Sequence, residues 1–91
     1  MNRWALFFVP EAENDLEELS PVIRKRIVKK LYWFRDRFQD ITPLTLRHEL
    51  RGFFKLKMGD WRMIYKIDWQ RNKIIIVAIG HRTKIYKRKL I

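Results

Sequence analysis

Gly59-Asp60 separates two stretches of alternating side chains, and no other feature narrows the possible folds as much. Phe54, Leu56 and Met58 alternate with Lys55 and Lys57 before it, and Trp61, Met63 and Tyr65 alternate with Arg62, Ile64 and Lys66 after it. A period of two is the signature of a strand, and glycine at the first central position of a two-residue turn suits a type II′ hairpin. In that register Met58 faces Trp61 and Lys57 faces Arg62. One face of the hairpin is apolar and builds a core. The other carries Lys55, Lys57 and Arg62, with Ile64 as a packing residue beneath them and Lys66 continuing the basic face. Like charges directly opposite each other destabilise a sheet unless something negative lies between them, so the pattern reads as an anion site, best suited to phosphate. Two splayed, solvated side chains are the plainer alternative.

The rest of the chain supplies elements to pack against that hairpin. Arg3 to Phe8 is strand-like, and Val9-Pro10 places proline where a helix starts. Ala12, Leu16 and Leu19 recur at helical spacing, while Glu11, Glu13 and Asp15 sit in the first-turn region, where they favour the helix dipole. Ser20-Pro21 restarts a helix with a cap, and Ile23, Ile27, Leu31, Phe34 and Phe38 form its buried stripe. The two form an antiparallel helical hairpin. Arg24, Lys25, Arg26, Lys29, Lys30, Arg35 and Arg37 on the other faces could meet a nucleic-acid backbone or simply be solvated. Asp40 to Leu50 reads as a loop in which His48 and Glu49 are surface residues. Strands then follow at about Phe53 to Met58, Trp61 to Ile67 and Lys73 to Ile79, the last apolar enough to be buried on both faces.

Composition sets the bounds. At 91 residues the chain suffices for one domain, residues 1 to 91, with a modest core. The absence of cysteine excludes disulfides, iron–sulfur clusters and thiolate zinc sites. Ile74 to Ile79 is far too short to span a bilayer, which predicts a soluble, cytoplasmic protein without a membrane partner. Lys and Arg number 21 against 10 Asp and Glu. The charge is also uneven, net −4 over residues 1 to 19 and net +15 over the remainder. A polyanionic partner follows.

Gly80-His81-Arg82, with Tyr86 beyond, brings a third strand end toward the hairpin. These residues, with Leu50-Arg51-Gly52, Phe54-Lys55-Leu56-Lys57 and Gly59 to Tyr65, resemble the RelE/ParE toxin superfamily, and its RelE branch more than its ParE branch. The resemblance implies an α+β fold in the order β-α-α-β-β-β(-β), a helical hairpin packed on a small, mainly antiparallel twisted sheet. It also implies the toxin of a type II toxin–antitoxin pair that enters the ribosomal A site and cuts mRNA. ParE-like relatives poison DNA gyrase instead, and a basic nucleic-acid-binding module is the other alternative. Lys55, Lys57, Arg62, Arg82 and Tyr86 match the RelE-type catalytic positions, although Tyr86 follows Arg82 more closely than in some RelE proteins. The implied partners are mRNA, the ribosome with its RNA, a RelB-like antitoxin on a separate chain, and operator DNA through the antitoxin complex.

Chemistry supports the same cluster. RNA carries its own nucleophile, so cleavage needs the 2′-hydroxyl activated, the phosphorane charge stabilised and the 5′-oxygen protonated. After Glu49 the only acids are Asp60 and Asp68, too few for a two-metal nuclease, so no metal and no cofactor is expected. Lys55, Arg62 and Arg82 would hold the phosphate, and Lys66, Lys84 and Arg88 would add RNA contacts. Lys57 would transfer the proton, since neighbouring cations disfavour a lysine's charged form. Tyr86 would stack on a base or orient the hydroxyl, or else be a core aromatic. His81 is the second choice as acid or base, or else packs at the strand end.

Overall fold

The computed structural model describes residues 3–88 and 90. Its elements run in the order strand β1 (Ala5–Phe8), helix α1 (Pro10–Glu17), helix α2 (Pro21–Asp36), and strands β2 (Leu44–Thr45), β3 (Phe54–Met58), β4 (Trp61–Asp68) and β5 (Lys73–His81). A 3-10 turn at Ile85–Lys87 follows. The five strands form one sheet in the order β1-β5-β4-β3-β2. Only β1 with β5 is parallel; the other three pairings are antiparallel.

Both helices start where the sequence indicates. Pro10 and Pro21 occupy first-turn positions, and the Ser20 hydroxyl accepts from the Ile23 N–H at 3.4 Å. The helices cover one face of the sheet, where Ala12, Ile27, Leu31, Phe34 and Phe38 pack with Met63, Tyr65, Ile74, Ile76 and Ile79. A smaller core lies on the opposite face, built from Phe53, Ile64, Ala78 and Ile85. Ile64 is therefore a packing residue beneath the cations, as its place in the alternation requires.

Several boundaries differ from the sequence reading. Strand β1 begins at Ala5 rather than Arg3, and β5 continues to His81. The stretch from Asp40 to Leu50 is not wholly loop, because Leu44 and Thr45 pair with Lys55 and Phe54 as a short edge strand. His48 is exposed in the 3-10 turn that follows. In β5, apolar character alone hides an irregularity: Ile64 pairs with Ala78 but Tyr65 with Ile76, so Val77 is an extra residue. This bulge resets the alternation. Ile76 and Ile79, three apart, both reach the helix-side core, while Ala78 turns to the other.

Candidate functional site

The hairpin tip organises the cationic cluster. Met58 pairs with Trp61 and Lys57 with Arg62 across a turn in which Gly59 has φ +64. A left-handed first turn residue followed by one that is not fits the type II′ geometry, and it makes Lys57 and Arg62 the adjacent cross-strand pair whose side chains leave the same face. Lys55 lies two residues back on that face, opposite Ile64, and is partly buried. Among the described residues neither Lys55 nor Lys57 has an ion-pair partner.

The two arginines are fastened to the turn. Arg62 Nη1 donates to the Gly59 carbonyl at 2.7 Å and to the Trp61 carbonyl at 2.8 Å. Guanidinium has five donors in a fork, so Nε and Nη2 remain for a phosphate. Arg82, in the turn after β5, donates its backbone N–H to the Asp60 carbonyl at 2.8 Å, and its Nε lies 3.4 Å from Asp60 Oδ1. Thus one two-residue turn holds both guanidinium groups at the hairpin end. Asp60, read from sequence only as a turn residue, is the acidic member of the site. Its partner is 22 positions away, and nothing local announces the contact.

Tyr86 belongs to the 3-10 turn whose Ile85 is seated in the small core beside Ile64. Gly80 permits that seat: a Cβ there would stand 2.9 Å from Ile85 Cδ1. Tyr86 itself is exposed, so the core-aromatic alternative does not hold. Lys66 continues the basic face, with its ammonium 5.0 Å from the Phe53 ring centre.

Other predicted residues lie apart. His81 pairs with Trp61, and the two rings meet edge to face at 5.5 Å on the helix side of the sheet. Its Nδ1 accepts from the Thr83 N–H at 3.3 Å, leaving Nε2 to carry the proton of the neutral ring. Arg88 is paired with Asp15 at 2.9 Å and also reaches the Ile79 carbonyl. Lys84 is exposed beside His81, in a groove bordered by α1. Among the described residues no group of three or more His, Asp or Glu is arranged to hold a metal ion, and no helix is long and apolar enough to cross a membrane.

The family description "ParE toxin of type II toxin-antitoxin system" matches residues 6–86. The chain belongs to the RelE/ParE toxin superfamily. Toxin RelG of Mycobacterium tuberculosis is 32% identical over 81 residues, spanning 89% of this chain and 93% of RelG. The toxin–antitoxin complex RelBE2 from the same organism contains a chain that superposes with a TM-score of 0.78 at 27% identity, covering 88% of this chain and 99% of that one. The isolated RelE toxin of Escherichia coli superposes with a TM-score of 0.69 at 20% identity, covering 92% of each chain. As a toxin of this superfamily, the protein carries its cationic cluster on the sheet face away from both helices.

Proposed function

We propose that this toxin is a ribosome-dependent endoribonuclease that cuts mRNA in the A site by metal-independent attack of the 2′-hydroxyl on the scissile phosphate. The observation that carries the reading is the Lys57–Arg62 pair: two cations held side by side with no carboxylate between them, beside a third at Arg82. That arrangement is stabilised by an anion and strained without one.

In the proposed reaction Lys55, Arg62 and Arg82 hold the phosphate and the charge that grows on it in the transition state. Lys57 takes the proton as the 2′-oxygen bonds to phosphorus. The bond to the 5′-oxygen breaks, and that oxygen takes a proton from water, giving a 2′,3′-cyclic phosphate and a 5′-hydroxyl. Tyr86, exposed in the turn after β5, would stack on a base. His81, on the other face, is left out of this proton transfer. The cognate antitoxin would be a separate RelB-like chain, as the RelBE2 complex of M. tuberculosis pairs toxin with antitoxin. The pair would work in the cytoplasm and could reach operator DNA through the antitoxin.

The test is the chemistry of the ends. Cyclic phosphate and 5′-hydroxyl termini support the mechanism; 5′-phosphate termini contradict it. The second reading, inhibition of DNA gyrase without catalysis, draws on the match to the ParE family description.

A further inference from the structure

Helix α2 carries a stripe that the hairpin cluster does not use. Arg26, Lys30 and Trp33 of the helix and Arg37 at its C-cap recur at intervals of four, three and four, which aligns them along one side over about 16 Å. They lie one position out of phase with the buried Ile27, Leu31, Phe34 and Phe38. Trp33 is 42% exposed, with Lys30 Nζ 4.0 Å from its ring centre and the Arg37 guanidinium 5.7 Å away. The only acid in α2 is Asp36, which pairs with Arg35. At the other end of the stripe, Arg26 and Lys30 line a groove of about 490 Å³ shared with Lys57 and the hairpin tip.

We propose that this stripe is a second RNA contact: the single strand entering the hairpin cluster continues along α2, with phosphates on Arg26, Lys30 and Arg37 and one base stacked on Trp33. The inference rests on the RNA reading above. The cluster and the groove lie on opposite faces of the sheet, and the RNA strand joins them by passing round the hairpin tip, where Lys57 borders the groove. Charge selects the occupant, since an exposed indole flanked by cations offers both parts of a single-strand site: a π-face for a base and positive charge for the backbone. Stacking of this kind is tolerant of sequence, so the stripe would lengthen the footprint without choosing the codon.

The test uses antitoxin-free toxin and fluorescently labelled 2′-O-methyl RNA, which lacks the nucleophile and cannot be cut. Anisotropy is read with strands of about four and about twelve nucleotides. The expected result is that Trp33→Ala weakens binding of the longer strand roughly five-fold or more, while Trp33→Phe restores most of it. Arg37→Gln should lower the slope of log affinity against log salt by about 0.7. The short strand should be insensitive to all three changes. Unchanged affinity of folded Trp33→Ala, equal loss in Trp33→Phe, or no measurable binding of the longer strand by the wild type overturns the inference. So does a Glu- and Leu-rich helical peptide whose binding depends on Trp33 more than RNA binding does, which would mark a protein-docking face. If mRNA on programmed ribosomes is not cut by the wild type but the Trp33 dependence persists, the nuclease reading falls and the RNA contact stands.

Discussion

Arg82 spends its backbone N–H and part of its guanidinium on Asp60, so a phosphate arriving at the hairpin tip competes with a carboxylate already there. Both side chains are largely exposed, and such pairs contribute about 0.2–1 kcal/mol. Asp60→Asn keeps the backbone contact, which uses the main-chain carbonyl, and removes the competing charge. Inorganic phosphate or RNA should then bind up to about five-fold more tightly by titration, with the fold unchanged. Weaker binding in the folded variant would show that Asp60 serves the site rather than competing with its ligand. The Lys57–Arg62 pair was legible because a two-residue turn fixes register and period two fixes faces. Asp60 with Arg82 was not, because the contact depends on where β5 ends.

At the scale of elements, the pairing of β1 with β5 stops at Phe8 and Ile76, and side chains take over the exposed edge of β5 beyond it. Asp15 Oδ2 accepts from the Ile79 N–H at 3.0 Å and from Arg88 at 2.9 Å, joining α1, β5 and the carboxy-terminal segment. Asp15→Ala leaves that N–H and that guanidinium without their acceptor. It should cost about 1–3 kcal/mol in denaturant unfolding, and a loss below a few tenths would show that water substitutes. In the turn after β4, Asp68 Oδ1 accepts from the backbone N–H of Arg71 at 3.0 Å and of Gln70 at 3.1 Å. The Arg71 N–H is the main reason its carboxyl titrates below the usual carboxylate range. A lowered folded pKa means stability present above the unfolded value and lost as pH falls through the folded one. Stability of the wild type should therefore decline on acidification below about pH 4, and Asp68→Asn should flatten that part of the curve. Identical acid limbs would contradict the assignment. Helix starts were legible from Ser20-Pro21 and Val9-Pro10. The Val77 bulge was not, because an all-apolar run carries no alternation to interrupt.

For the molecule as a whole, the strongly basic surface and the cluster at one end of the sheet suit a polyanionic partner, and the proposed account is a toxin that meets RNA with cations and cuts it with the message's own hydroxyl. The order of elements and the hairpin register were readable from residues, because prolines, caps and alternation are local signals. His81 and Arg88 were grouped with the cluster in sequence but fall elsewhere, since tertiary contacts with Trp61 and Asp15 decide their faces. Cleavage of mRNA on programmed ribosomes by antitoxin-free wild type and Arg82→Ala tests the central claim most directly. The account predicts cuts within the A-site codon that leave 2′,3′-cyclic phosphate ends and fall roughly a hundred-fold or more in the variant. Intact message with folded wild-type toxin, alongside inhibition of purified gyrase, would contradict it.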